Sequence, residues 1–166
     1  MIAVDTGVLA LALNRWAPEH ARASQRVEAL AHGDAPWAVT WPSLHRLLAV
    51  VTDRHAVARA LSPADATAFV DALLESPSVR VLGPTPRHAL VLREVLESFG
   101  SRELPPGFET ATILREHGVR ELLSRDAAMR RFPFLVVLDP FTEAEPGAGA
   151  PRRYRRLNLR GRPAAR

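Results

Sequence analysis

Two aspartates, Asp5 and Asp126, each follow a short apolar run that is typical of a buried strand. In sheets of parallel strands, ligands bind outside the carboxyl ends of the strands, and both carboxylates are expected there. The sequence contains no cysteine, so any metal ion must be bound by carboxylates, histidines or backbone oxygens. The two acids therefore indicate a site at this edge; the alternative is a loop acid and a helix cap.

The elements that must position these acids alternate between strands and helices. Apolar runs predict strands at 1–5, 36–40, 79–82, 120–124 and 135–138. Helical spacing, capping residues and breakers predict helices at 7–15 (capped by Thr6), 18–32, 42–54, 63–75, 86–99 and 108–117, with a short helical turn after Asp126. This alternation predicts an α/β fold with a mostly parallel sheet, the first strand near its centre and the 120–124 strand close by.

The charge of the chain is divided between a body and a tail. The net charge is +4 over 166 residues, but residues 151–166 hold seven arginines and no acid, which leaves residues 1–150 at −3. We expect one domain over residues 1–141, followed by a Gly/Pro-rich linker and a flexible tail over 142–166. Two interpretations of the tail stay open: a solvated segment, or an arm for RNA or DNA that uses Arg152, Arg153, Arg155 and Arg156, with Tyr154 stacking on a base.

No apolar run approaches the ~20 residues that a membrane helix needs. The amino terminus has an acid and no basic lead, which does not fit a signal peptide. We therefore expect a cytoplasmic protein without a membrane partner.

Other residue types were weighed as ligands or contact points. Three histidines lack metal-ligand spacing and are interpreted as surface or helix-end residues: His20, His45 and His117. Trp37 and Trp41 flank a predicted strand and are expected in the core. Trp16, between the first two helices, could instead be exposed for a partner. The first helix, with Val8, Leu9, Leu11 and Leu13, is too apolar for one buried stripe.

Several segments in order resemble the VapC branch of the PIN-domain family, the toxins of bacterial toxin–antitoxin pairs. The resemblance lies in residues 1–6, 41–52 and 104–119, in Leu123–Asp126 and in Arg131–Pro133, and it spans the chain from 1 to about 141. It implies a three-layer α/β/α fold and an endoribonuclease that depends on Mg²⁺ or Mn²⁺. It also implies a homodimer and a cognate antitoxin that binds across the first helices.

The resemblance makes Asp5 and Asp126 the remaining members of a larger acidic metal site. The glutamate that the family has in its third helix falls on Arg46, and the aspartate that opens the later helix falls on Gly107. A lesser acidic or Asn position falls on Ala128, and Gly7 stands where the family often has Asn. Only two of about four expected acids are therefore present.

These departures make metal binding and hydrolysis doubtful. We expect Arg46 to bridge Asp5 and Asp126 by salt bridges in place of the metal; the alternative is that it points to solvent. Glu103 could fold in from its loop, whereas Glu109 lies roughly 200° around a helix from Gly107 and should point away. The sequence thus favours a VapC-like ribonuclease with weakened or lost activity. The alternative is an inactive PIN scaffold that binds protein or RNA, with repurposing in a larger assembly as a third possibility.

Overall fold

The computed structural model describes residues 1–100 and 103–142. The strands are β1 (Ile2–Val4), β2 (Trp37–Thr40), β3 (Val79–Leu82), β4 (Glu121–Leu123) and β5 (Val136–Leu138). The helices are α1 (Thr6–Leu13), α2 (His20–Ala31), α3 (Trp41–Thr52), α4 (Pro63–Leu74), α5 (His88–Phe99) and α6 (Phe108–Glu116), with a 3-10 helix at Ala127–Arg131. Every predicted element is present, with ends shifted by at most two residues.

The five strands form a parallel sheet in the order β3-β2-β1-β4-β5. The predicted central position of β1 and its pairing with the strand before Asp126 are confirmed: Ala3 is level with Leu122, and Val4 with Leu123. Parallel pairing of β1 and β4 brings the residues that follow both strands to one edge, and the Asp5 amide donates to the Leu123 carbonyl at 3.0 Å. The adjacency of the two predicted acids thus follows from the strand register.

Helices cover both faces of the sheet and make the three layers. Because side chains alternate along a strand, Val4 and Leu123 join one apolar core with α1, α2, α3 and α4. Ala3 and Leu122 join a second core with α5, α6 and the 3-10 helix. Both faces of β1 and β4 are buried, as expected for a parallel sheet between helical layers.

Two local sequence predictions need correction. The N-cap of α1 is Asp5, whose carboxylate accepts from the Thr6 amide, whereas the Thr6 hydroxyl donates to the Ser43 carbonyl. Trp37 is fully buried as predicted, but Trp41 is exposed and packs against the His45 ring. Trp41 is the first residue of α3 and lies outside the strand, so the burial pattern of β2 does not extend to it.

Two further predictions concern membrane-spanning helices and the carboxyl-terminal tail. Within the described part of the chain, no helix is long and apolar enough to cross a bilayer. The tail arginines Arg152, Arg153, Arg155 and Arg156, with most of the predicted 142–166 linker and tail, lie outside the described residues.

Candidate active site

Asp5 and Asp126 are joined through the hydroxyl of Ser124. Ser124 Oγ donates to Asp5 Oδ2 at 2.6 Å and accepts from the Asp126 amide at 3.0 Å. Asp5 Oδ1 accepts from the Thr6 amide at 2.8 Å, and Asp126 Oδ1 accepts from the Ala128 amide at 2.8 Å. Both carboxylates therefore cap helices and also face a common site, so the two interpretations of these acids are compatible.

Ser124 follows the last residue of β4, where its sequence position alone indicates no more than a strand end. It is buried, and its hydroxyl is both donor and acceptor within the site. The available signal was its position between the end of β4 and Asp126, but the partner Asp5 lies on another strand. Only the β1–β4 register shows that the two side chains meet.

A cavity of about 350 Å³ opens above Asp5 and Asp126. Its charged lining consists of three acidic and two basic side chains: Asp5, Glu109, Asp126, Arg46 and Arg125. Gly107 and Met129 complete the wall on the side of α6, and Leu11 and Val50 add apolar surface. All four positions singled out from the sequence, Asp5, Arg46, Gly107 and Asp126, thus line one cavity.

The expected salt bridge from Arg46 to the two aspartates is not formed. Among the described residues, the ion pairs within 4.0 Å are His88–Glu116 and Arg125–Glu19. Arg46 lies on an exposed face of α3, where hydration of the guanidinium competes with pairing and a contact contributes little free energy. It still lowers the pKa of Asp5 through space, as the smallest of the effects on that carboxyl.

The pKa of Asp5 is raised above its ordinary value. Burial of the carboxyl is the main cause, and the neighbouring charge of Asp126 adds to it. The hydrogen bonds from Ser124 and the Thr6 amide, and the charge of Arg46, oppose the increase without cancelling it. The ionised form of Asp5 is therefore held in the folded protein at a cost in free energy.

This shift predicts that Asp5→Asn raises the melting temperature at pH 7. A raised pKa means that the folded protein binds the proton more tightly than the unfolded chain, so its stability falls as the pH rises through that pKa. Asparagine keeps an oxygen for the Thr6 amide and removes the charge. The advantage over wild type should shrink toward pH 4, measured by thermal melts from acidic to neutral pH. Asp53→Asn, at an exposed carboxylate, is the control, and a loss of stability in Asp5→Asn at neutral pH would contradict the prediction.

Gly107 has a backbone conformation that excludes the family's aspartate. It is the N-cap of α6 with φ 81°, in the left-handed region that side chains other than hydrogen disfavour. A Cβ built on it lies 2.9 Å from Met129 Sδ. An aspartate at this position would therefore need a left-handed backbone and would crowd the Met129 side chain.

Glu109 lines the cavity, although its place on the helix predicted that it points away. The helix begins at Phe108, as predicted, but Gly107 before it is not helical, so the helical angle between Gly107 and Glu109 does not apply. Glu103 is not among the lining residues, and its carbonyl accepts from Arg131. Glu109 is therefore the third acid in the cavity lining, after Asp5 and Asp126.

The donor set does not match a site for a hydrated Mg²⁺ ion. Among residues 1–100 and 103–142, no three His, Cys, Asp or Glu side chains are grouped closely enough to hold a metal. Both oxygens of Asp5 already accept hydrogen bonds, and two guanidiniums share the cavity with the acids. Mg²⁺ is usually bound by one or two carboxylates together with waters and phosphate oxygens, so the residues that could hold it here are Asp5 and Asp126, with two guanidiniums opposing its charge.

A group of buried hydroxyls lies under the cavity and was missed from the sequence. Thr40 Oγ1 is 2.9 Å from Ser43 Oγ, and both are 3.2 Å from Thr110 Oγ1. These three contacts join the start of α3 to α6, and all three side chains are buried. Thr40 could have been recognised from the sequence as the N-cap of α3, where its hydroxyl accepts from the Ser43 amide. Thr110 comes from a distant segment, and no local pattern connects it to this cap.

Comparison with known proteins places the chain in a family. No family model matches the sequence. Ribonuclease VapC33 of Mycobacterium tuberculosis is 30% identical over 146 residues, covering 86% of this chain and 100% of that protein. Ribonuclease VapC48 of the same species is 29% identical over 139 residues, covering 83% and 96%. The chain therefore belongs to the VapC family of PIN-domain proteins, as its sequence motifs predicted.

Solved structures share the fold. Mycobacterium tuberculosis VapC20, a toxin that cleaves the sarcin-ricin loop, superposes with a TM-score of 0.57 at 22% identity over 79% of this chain and 94% of that chain. VapBC2 from Rickettsia felis, crystallised with a promoter DNA fragment, gives a TM-score of 0.59 at 15% identity over 83% and 98%. These matches confirm the predicted three-layer PIN fold.

Proposed function

We propose that this chain is a cytoplasmic VapC-family protein of a toxin–antitoxin pair that binds RNA at the Asp5–Asp126 cavity and hydrolyses it weakly or not at all. The observation that carries the proposal is the combination of Arg46 and Gly107 in the wall beside the two acids. Family membership supports the toxin assignment, and these two positions support the loss of activity.

The cavity lining places two guanidiniums, which can bind phosphate, beside the three carboxylates. Metal-dependent hydrolysis needs a dication that activates water and neutralises the attacked phosphate. Here Arg46 lies in the lining beside the three carboxylates, and Arg125, which is paired with Glu19, adds a second guanidinium whose positive charge opposes that of a dication. Guanidinium groups bind phosphate oxygens through paired N–H donors. The arrangement thus keeps affinity for RNA while it weakens the site for Mg²⁺ or Mn²⁺.

The second candidate function is an inactive scaffold that binds RNA or protein. It is favoured by the absence of a three-acid group among the described side chains. Metal-dependent RNA cleavage that requires Asp5 would exclude this candidate.

We further propose an antitoxin-like partner and a homodimer. Trp16 is 63% exposed and stacks on the Arg59 guanidinium at 3.8 Å. Leu11 and Leu13 of α1 are only half-buried, and a cavity of about 470 Å³ lies beside Trp16 and Leu13. This apolar surface suits the helix of a partner, and light scattering of the protein alone and with its antitoxin tests both assemblies.

RNA cleavage by the purified protein tests the proposed function. With Mg²⁺ or Mn²⁺, wild type is expected to cleave RNA little more than Asp5→Ala does, because the site lacks converging acids. Cleavage is followed on denaturing gels against structured and unstructured RNA. Strong metal-dependent cleavage that Asp5→Ala abolishes would contradict the proposed loss of activity and would point to Glu109 as the missing ligand.

A further inference from the structure

A second cavity, separate from the acidic one, lies between α2 and the segment after β5. It measures about 310 Å³ and is lined by Arg22, Gln25, Arg26, Ala29, Pro140, Phe141 and Thr142. Among the residues that the structure describes, the lining contains two guanidiniums and one amide but no carboxylate. The described lining is therefore positively charged, which suits an anionic phosphate.

Arg125 connects this cavity to the acidic one. It lines the cavity of Asp5 and Asp126, and its guanidinium carbon is 5.3 Å from the centre of the Phe141 ring, which lines the second cavity. The Arg22 guanidinium approaches the same ring at 5.2 Å. Phe141 thus holds one arginine from each cavity beside it, and the two cavities share a basic border.

The arginines at this border keep most of their hydrogen-bond donors free. Each guanidinium carries five N–H donors. Arg22 donates to the Phe141 carbonyl, and Arg125 donates to Glu19 at 2.9 Å. Arg26, one turn beyond Arg22 on α2, has no ion pair within the described part of the chain. Arg22 and Arg26 are separated by about 6 Å along the helix axis, so each can contact a different phosphate.

We propose that Arg22 and Arg26 bind the phosphates of single-stranded RNA that flank the nucleotides in the Asp5–Asp126 cavity, with Arg125 between the two sites. This inference rests on the proposed RNA binding and extends it to a second contact region on α2. Phosphate contacts position a strand without reading its sequence, so this region sets the path of the RNA. Arg22 and Arg26 are accordingly positioning residues.

The test is RNA binding by the full chain, measured as fluorescence anisotropy of a labelled oligouridine of about 12 nucleotides, a length within the usual range of single-strand sites. Arg22→Ala/Arg26→Ala is expected to bind about tenfold more weakly than wild type near physiological salt. The slope of log K against log salt should become shallower by about 1.4, since each single-strand phosphate contact contributes about 0.7. Arg26→Ala alone should show about half of that change in slope.

The matched control is Arg87→Ala/Arg93→Ala. It removes the same charge from exposed positions at and in α5, on the other face of the sheet, and keeps the carboxyl-terminal arginines. Melting curves show whether loss of the Arg22–Phe141 contact affects folding; Arg26→Ala, which removes no hydrogen bond or ion pair among the described residues, carries the test if it does. If both α2 variants retain the affinity and slope of the control, the inference is wrong and the proposed function stands. If wild type does not bind RNA, both fail.

Discussion

Gly107→Asp is expected to lower the melting temperature by about 10 °C, although it restores the acid that the family has at this place. An aspartate at φ 81° would have a strained left-handed backbone, and its Cβ would lie 2.9 Å from Met129 Sδ. Together, backbone strain and overpacking cost about 2–4 kcal/mol. Thermal unfolding by circular dichroism measures the loss.

Gly118→Asp separates the two causes. Gly118 also has a positive φ, 68°, but a Cβ there meets no atom within 4 Å. It should therefore lose less stability than Gly107→Asp. Met129 is buried, so Met129→Ala alone is also destabilising. The double variant Gly107→Asp/Met129→Ala should lose less stability than the sum of the losses in the two single variants. Additive losses would show that Met129 is not the obstacle.

Arg46→Glu is expected to create a response to Mg²⁺ that wild type lacks. The charged lining changes from three carboxylates and two guanidiniums to four carboxylates and one guanidinium. Without metal, the added repulsion should lower the melting temperature. With Mg²⁺ at ten times its Kd, binding to the folded state restores about 1.4 kcal/mol, or about 4 °C. Differential scanning fluorimetry with and without Mg²⁺ measures the response.

Two controls separate metal binding from a general charge effect. Arg46→Gln removes the guanidinium without adding an acid, and Arg93→Glu makes the same charge change on exposed α5. Neither should gain as much from Mg²⁺ as Arg46→Glu. Equal stabilisation of wild type and Arg46→Glu would mean that position 46 does not control the metal response. Because Arg46 forms no ion pair with any described residue, Arg46→Ala should change stability little, in contrast to the salt-bridge hypothesis.

The sequence was sufficient to place the acids and the sheet but not the details of the wall. Strand periodicity located Asp5 and Asp126 after β1 and β4, and the alternation of elements predicted the parallel order that brings them together. That Arg46 and Gly107 stand where the family has acids stays a prediction from the motifs. These features depend on short-range patterns and on general rules of connection.

The remaining features depend on contacts between distant segments. The left-handed backbone of Gly107 is coupled to Met129 in the 3-10 helix, and no local pattern reports that contact. Glu109 reaches the cavity although α6 begins at the predicted residue, because Gly107 has a left-handed backbone outside the helix and the helical angle between the two residues does not apply. Arg46 was assigned a salt bridge from charge alone, whereas solvation on an exposed helix face determines where a guanidinium lies.

The three buried hydroxyls of Thr40, Ser43 and Thr110 form an uncharged floor beneath the cavity. None of these side chains titrates in the physiological range, and their mutual hydrogen bonds are shielded from bulk ions by burial. The spacing between α3, which bears Arg46, and α6, which bears Glu109, is thus set by contacts that neither acidity nor ionic strength alters. A charge substitution at position 46 or 109 should therefore leave the spacing of α3 and α6 unchanged. Its effect on ligand binding then measures the change in electrostatic interaction alone.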